Sequence, residues 1–186
     1  MVIFSRLTST RALETGLPKY ELTHGRTVLR IAGPLSKIRP FMLAAIVRNM
    51  KFDEDSILDL MEMQEDLHWG IGRDRKKASI GVHNLDVVSP PFTFTAVEPD
   101  KTKFVPLDSG EEMSLREILE KHPKGVGYKH LVYGAPMYPL LIDKDGRVLS
   151  MPPIINSECT RVTMQTRQFF IDVTGLSQRT VDRALN

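Results

Sequence analysis

The chain has 186 residues, of which 41% are hydrophobic and 26% are charged, and 25 Lys and Arg face 23 Asp and Glu. This composition is typical of a soluble globular protein with one well-packed core, and the formal net charge of +2 excludes a surface that attracts nucleic acid as a whole. No apolar run approaches the roughly twenty residues of a membrane helix. Cys159 is the single cysteine, and the five histidines form no HxH or HExxH pattern. We therefore expect a cytoplasmic domain without a metal site or a membrane contact.

The ends of the chain differ in character from its middle. Residues 1–16 contain Ser, Thr and Arg but no acid before Glu14, and their short apolar run does not form a signal-peptide core. We interpret 1–16 as the remnant of a preceding segment or a disordered leader, and 17–186 as one domain. A last helix that begins at Ser177 still continues at Asn186, which suggests a piece excised from a longer protein.

The first half of the domain begins with two apolar, β-branched stretches, 27–32 and 41–50, which predict two strands joined by a loop. A helix follows, with Asp53 or Asp55 as its cap and Gly70 or Gly72 at its end. Its expected apolar face consists of Ile57, Leu60, Met61, Leu67 and Ile71.

The second half alternates short strands with helices. Ser114 and Glu117 have the spacing of a capping box, so a short helix should run from there to about His122. Further strands are predicted at 78–82, 92–96, 103–107, 138–142, 147–149 and 168–174. The fold class is therefore α+β, a single domain with a mixed, mostly antiparallel sheet flanked by helices.

The run from Val148 to Asn156 combines an apolar strand end, the hydroxyl of Ser150 and the pair Pro152-Pro153. Proline fixes its own φ and removes a donor, so we expect Met151-Pro152-Pro153 to be extended and rigid. Such a segment suits the wall of a binding pocket. From the residues alone, a rigid loop between two core strands is the more common use of such a segment.

Two further groups of polar residues are candidates for function. Asp172 and Thr174 share one face of a predicted strand, where the carboxylate is either a structural hydrogen-bond acceptor or a recognition group. The run Arg73 to Lys77 holds four cations and Asp74. It is either a solvated helix end or a contact for a phosphate backbone.

Several motifs in order resemble the editing domain of the archaeal and eukaryotic type of phenylalanyl-tRNA synthetase beta subunit, from about Gly16 to the end of the chain. Asp74 and Asn84 depart from the pattern, since the family is usually basic at the first position and commonly acidic at the second. The matching segments are Ile38-Arg39-Pro40, Ser79 to Asp86, Pro90-Pro91-Phe92, Lys103 to Leu107, Tyr138 to Asp143, Val148 to Asn156 and Phe169 to Gly175.

The resemblance implies hydrolysis of tyrosine wrongly attached to the phenylalanine tRNA, by water attack on the aminoacyl ester. Family positions that line the editing pocket fall on Leu141, Ser150, Asp172 and Thr174. The implied catalytic residues are Asp172, Thr174 and Ser150, the substrate-binding residues are Leu141, Ser150, Pro152 and Asp172, and the tRNA-binding residues are Arg73, Arg75, Lys76 and Lys77.

The implied partners are the acceptor end of the phenylalanine tRNA, the alpha subunit and the remaining beta-subunit domains. No cofactor is expected in this domain, although the complete synthetase would use ATP and magnesium. Two alternatives stay open: a non-catalytic module for RNA binding or subunit docking, and a free-standing trans-editing deacylase.

Overall fold

The computed structural model describes residue 23 and residues 25–36 and 38–186. The segment 1–16, interpreted above as a leader or remnant, lies outside the described residues.

The described residues form ten strands and four α-helices. The strands are β1 (Leu29–Ile31), β2 (Phe41–Val47), β3 (Ala78–Asn84), β4 (Phe92–Val97), β5 (Lys103–Phe104), β6 (Met113–Ser114), β7 (Tyr138–Ile142), β8 (Val148–Met151), β9 (Ile155–Asn156) and β10 (Phe169–Gly175). The helices are α1 (Glu54–Trp69), α2 (Leu115–Lys121), α3 (Pro123–Tyr128) and α4 (Gln178–Leu185). Short 3₁₀ turns occupy Leu85–Val87, Lys129–Leu131 and Glu158–Thr160.

The strands build two main sheets rather than one. A five-stranded sheet has the order β1-β4-β7-β8-β9, a three-stranded sheet has the order β2-β10-β3, and β5 pairs with β6. The β1–β4 pair is parallel and the other pairs are antiparallel. The predicted α+β class with mixed, mostly antiparallel pairing is confirmed, but β1 and β2 lie in different sheets.

The two main sheets enclose an aromatic core. The rings of Phe92 on β4 and Phe170 on β10 lie 4.4 Å apart, and Leu141 and Leu149 complete the same cluster. Val173, which alternates with Phe170 along β10, packs instead against α4 on the other side of the sheet. The face of β10 that carries Phe170 is therefore the inner face, and Asp172 and Thr174 share it as predicted.

Helix α1 begins and ends where the sequence predicts, but its buried face differs. Asp53 caps the helix and Gly70 ends it. Leu60 and His68 are its buried residues, whereas Met61 is exposed and Ile71 lies beyond the last turn. The apolar face predicted above is wrong at these positions, because α1 turns polar side chains toward the edge of β3 that has no strand partner.

Two other local predictions have clear outcomes. The capping box of Ser114 and Glu117 is confirmed, and Pro123 both ends α2 and opens α3 at its first turn. The strand expected over 103–107 is shorter, since β5 covers only Lys103–Phe104.

The proline pair forms a turn, not the expected extended wall. The Ile154 N–H donates to the Met151 carbonyl at 2.8 Å, and the Pro152–Pro153 peptide bond is cis. Met151 pairs with Ile155, so β8 and β9 form a hairpin with the two prolines at its tip. Proline is compatible with both extended chain and tight turns. Because the flanking strands pair antiparallel, the chain must reverse direction between them, and the prolines form the turn.

Candidate active site

A cavity of about 240 Å³ lies between the edge strand β3, helix α1 and the β8–β9 hairpin. It is smaller than the pockets of about 300–1,000 Å³ that hold drug-sized ligands, so a single amino-acid side chain is a suitable occupant. Both apolar and polar side chains line it. The polar lining residues include Ser79, Ser150, Asn156, Thr160 and Asp172.

The structure brings some of the predicted pocket residues together and separates others. Ser150, Pro152 and Asp172 line the cavity. Leu141 is fully buried in the aromatic core, where it pairs with Ser150 across β7 and β8. Thr174 is also fully buried, one layer behind the cavity wall, and its hydroxyl lies 3.0 Å from that of Ser79.

Asp172 is held by a buried histidine. Its Oδ1 lies 2.7 Å from His83 Nε2, and His83 Nδ1 lies 3.1 Å from Thr160 Oγ1. The Thr160 hydroxyl also lies within hydrogen-bond distance of the Ser157 and Leu149 carbonyls, at 3.1 and 3.3 Å. Because a carboxylate only accepts hydrogen bonds, His83 donates from Nε2 to Asp172 Oδ1. This leaves Asp172 Oδ2 as an acceptor for the cavity.

Ser150 presents the opposite case, a buried group without a partner. Its side chain is 2% exposed, and its Oγ has no hydrogen-bond partner among the described residues. A buried hydroxyl left unpaired costs about 1–3 kcal/mol. Because Ser150 lines the cavity, its hydroxyl can pair with a polar group of an occupant.

The edge of β3 that does not pair with β10 is held in place by side chains rather than by another strand. His68 Nε2 accepts the Ile80 N–H at 2.9 Å, and Gln64 donates to the Ile80 carbonyl at 2.7 Å. Further along the same edge, Asn156 of β9 donates to the Val82 carbonyl at 3.2 Å. These bonds fix the backbone that frames the cavity.

Arg75 also belongs to the cavity wall. It is 5% exposed, donates to the carbonyls of Pro153 and Ile154 at 3.3 and 3.0 Å, and pairs with Glu65 at 2.9 Å. Its guanidinium lies 4.5 Å from the centre of the Tyr128 ring. Arg75 ties the hairpin to α1 and is therefore not available to contact a phosphate backbone. The other three cations, Arg73, Lys76 and Lys77, are exposed and remain candidates for that contact.

The Glu65–His68 pair makes the cavity wall sensitive to acid. Burial lowers the pKa of His68 below its usual 6.5. The adjacent ring of His68 and then the charge of Arg75 lower the pKa of Glu65 to about 2 against the opposing effect of burial. As the pH falls, His68 therefore takes up a proton in the unfolded chain before it does so in the folded one. The stability that neutral His68 contributes to the fold is complete above pH 6.5 and falls as the pH drops below that value. The stability from Glu65 is lost only below its unfolded value of 4.5, toward 2.

His68→Gln is expected to weaken this dependence, since an amide oxygen also accepts the Ile80 N–H but does not titrate. At pH 7.5 the variant should lose about 1–2 kcal/mol of stability through poorer geometry. The melting temperatures of the variant and the parent should lie closer together at pH 5.5 than at pH 7.5, because the parent loses the contribution of neutral His68 in this range. Thermal melts across this range are the measurement, and a constant difference would contradict the assignment.

Sequence reasoning missed three residues of the site, namely His68, Ser79 and His83. Alternation along β3 does put Ser79, Gly81 and His83 on one face, which is a usable signal. Nothing in the sequence indicates that β3 lies beside β10, and only that pairing places the face against Asp172.

The comparisons with known proteins fit this geometry. An N-terminal fragment of the phenylalanyl-tRNA synthetase beta subunit from Pyrococcus horikoshii superposes with a TM-score of 0.86 at 46% identity, over 91% of this chain and 49% of that chain. The fold is thus that of an aminoacyl-tRNA synthetase domain. No family model matches the chain. No helix in the described part of the chain is long and apolar enough to cross a membrane.

Curated relatives agree with the structural match. The phenylalanine–tRNA ligase beta subunits of Methanosarcina barkeri and Methanothrix thermoacetophila are 55% and 49% identical over 94% of this chain. By sequence and by fold the chain corresponds to part of the phenylalanine–tRNA ligase beta subunit, and the predicted resemblance to that subunit is confirmed. The chain spans about a third of these relatives, 32% of each.

Proposed function

We infer that this domain hydrolyses the ester of tyrosine wrongly attached to the phenylalanine tRNA. The observation that supports this most is the unpaired, buried hydroxyl of Ser150 in a cavity that also receives the carboxylate of Asp172. A phenol can donate to one of these groups and accept from the other.

The chemical need for such a site follows from the limits of binding. An apolar pocket that accepts phenylalanine rejects a substrate with one added hydroxyl only weakly, whereas a site that pairs with the hydroxyl rejects the analogue lacking it by roughly 10⁴-fold or more. Ser150 and Asp172 supply that pairing, because phenylalanine would leave the Ser150 hydroxyl and Asp172 Oδ2 desolvated and without a partner. The cavity therefore suits tyrosine and excludes phenylalanine.

Water is the nucleophile in this proposal. Its oxygen bonds to the ester carbonyl carbon, the bond from that carbon to the ribose oxygen breaks, and one water proton ends on the ribose oxygen. Pro152 borders the aromatic ring, and Leu141 supports Ser150 from the core. Orientation of the ester and the water, with help from the free hydroxyl of the terminal ribose, supplies much of the rate.

The exposed cations Arg73, Lys76 and Lys77 are proposed contacts for the acceptor end of the tRNA, since phosphate contacts position a nucleic acid without reading its sequence. The remaining beta-subunit domains and the alpha subunit are the proposed partners. ATP and magnesium belong to aminoacylation by the complete synthetase, and the proposed location is the cytoplasm.

One observation favours a docking role as a second candidate. Trp69 at the end of α1 is 65% exposed and lies close in sequence to the basic residues. A binding module would retain the tRNA on filters with a strong salt dependence and would leave the ester intact. A free-standing deacylase would use the same site and the same chemistry.

The Ser150→Ala variant tests the pocket assignment. Because the hydroxyl has no partner in the described protein, its removal should leave the melting temperature unchanged or slightly raised. The hydrolysis of tyrosyl-tRNA should fall by roughly 10- to 100-fold, as expected for the loss of one buried hydrogen bond. The exposed Ser36→Ala is the matched control. Equal rates for Ser150→Ala and the parent would remove Ser150 from the site.

A further inference from the structure

Ser79 is a cavity-lining hydroxyl with an unusual set of neighbours. Its Oγ lies 3.0 Å from Thr174 Oγ1, and Thr174 Oγ1 accepts a hydrogen bond from Arg39 Nε at 2.9 Å. All three side chains are at most 5% exposed. They form a chain that runs from a buried cation to the wall of the cavity.

The direction of the hydrogen bonds in this chain follows from counting donors. Thr174 Oγ1 receives the Arg39 N–H, and among the described residues the remaining neighbour of this oxygen is Ser79 Oγ. If Ser79 donated to Thr174, the Thr174 proton would be buried without an acceptor, at a cost of about 1–3 kcal/mol. Thr174 therefore donates to Ser79. The Ser79 proton is left free, and it borders the cavity.

Arg39 keeps its charge at neutral pH. Burial lowers its pKa to about 9, and the nearby carboxylate of Asp172 opposes that effect. Its Nη2 also donates to the Thr174 and Arg75 carbonyls at 3.2 and 3.0 Å, which holds the guanidinium in place. A fixed cation at the head of a hydrogen-bond chain polarises each hydroxyl and strengthens the last donor.

The sheet register places this donor relative to the rest of the site. Ser79 lies opposite Thr174 and Gly81 lies opposite Asp172, so Ser79 and Asp172 are diagonal neighbours, about 7–8 Å apart between Cα atoms. The hydroxyl of Ser79 on β3 and the carboxylate of Asp172 on β10 thus face the same side of the sheet.

We propose that Ser79 is a catalytic residue whose hydroxyl donates a hydrogen bond to the carbonyl oxygen of the ester to be cleaved. This proposal rests on the proposed function and deepens it. As water adds to the carbonyl carbon, negative charge develops on the carbonyl oxygen and Ser79 stabilises it. The charge is released when the bond to the ribose oxygen breaks. Ser79 keeps its own proton throughout.

The same arrangement changes the role of Thr174. Thr174 is a positioning residue that carries the influence of Arg39 to Ser79, and it does not contact the substrate. This explains why a threonine lies one layer behind the cavity while sharing the inner face of β10 with Asp172.

The experiment is steady-state hydrolysis of tyrosyl-tRNA by the chain and its variants, with melting temperatures as the folding check. Ser79→Ala should lower kcat by roughly 10²- to 10³-fold with little change in KM, the usual effect of removing one such donor. Ser79→Cys keeps the volume with a weaker donor and should retain an intermediate kcat, which guards against a folding defect. Thr174→Val should lower kcat at unchanged KM, and Thr174→Ser, which restores the hydroxyl, should recover most of that loss.

The outcomes separate this proposal from the one on which it rests. A parent chain that does not accelerate ester loss would refute the proposed editing function. An active parent whose Ser79→Ala and Ser79→Cys variants keep the parent kcat would overturn the role of Ser79 and leave editing intact. A loss in Ser79→Ala that appears in KM alone would assign Ser79 to binding and contradict the proposal.

Discussion

Asp172→Asn is expected to lower the rate of tyrosyl-tRNA hydrolysis by about 10²-fold or more and to leave the domain folded. The amide oxygen of the variant still accepts the His83 N–H, so the buried contact of 2.7 Å survives. At the second position an NH₂ donor replaces a carboxylate acceptor. The phenol then meets a donor where it needs an acceptor, and the negative charge next to the cavity is gone.

Single-turnover ester hydrolysis is the measurement for this variant, with a melting curve to verify the fold. Asp59→Asn, on the exposed side of α1, is the matched control and should behave like the parent. Parent-like discrimination between tyrosine and phenylalanine in Asp172→Asn would show that Asp172 is a structural acceptor for His83 and nothing more.

Gly81→Ala should damage both the stability and the activity of the domain. A Cβ at this position would lie 2.2 Å from Asp172 Oδ1 and 2.7 Å from His83 Nε2. Both side chains are buried, so the added methyl must displace the carboxylate or the strand. Overpacking of this kind costs about 1–3 kcal/mol or more, which corresponds to a drop of roughly 3–10 °C in Tm for a domain of this size.

The activity of Gly81→Ala should fall more than its stability alone explains, because the displaced atoms are those of the Asp172–His83 pair. The matched control is Gly127→Ala in α3, where an added Cβ meets no atom within 4 Å. That control should be neutral or slightly stabilising. A Gly81→Ala variant with the parent's Tm and rate would mean that the cavity tolerates a displaced carboxylate.

Local patterns in the sequence predict much of the fold. The alternation of Phe170, Asp172 and Thr174 places them on one inner face, and the capping box at Ser114 fixes the start of α2. Each of these depends on neighbours within a few residues. Local sequence therefore identifies Asp172 as an inward-facing carboxylate.

The rest of the site depends on contacts between distant segments. Arg75 lies in a basic run that is typical of a solvated surface, yet it is buried because the hairpin carbonyls and Glu65 supply its partners. A search for apolar residues at helical spacing does not find His68, because this buried residue is polar and holds the backbone of Ile80. The same holds for Ser79, whose role emerges only from the pairing of β3 with β10.

The most direct test compares ester loss from tyrosine and from phenylalanine, each attached to the phenylalanine tRNA and mixed with the chain. The predicted result is faster loss of tyrosine than its spontaneous rate, with phenylalanine unchanged. Equal acceleration of both esters would contradict the pairing of Ser150 and Asp172 with a phenol. Retention of the tRNA with no acceleration of either ester would contradict the hydrolytic function and favour the docking module.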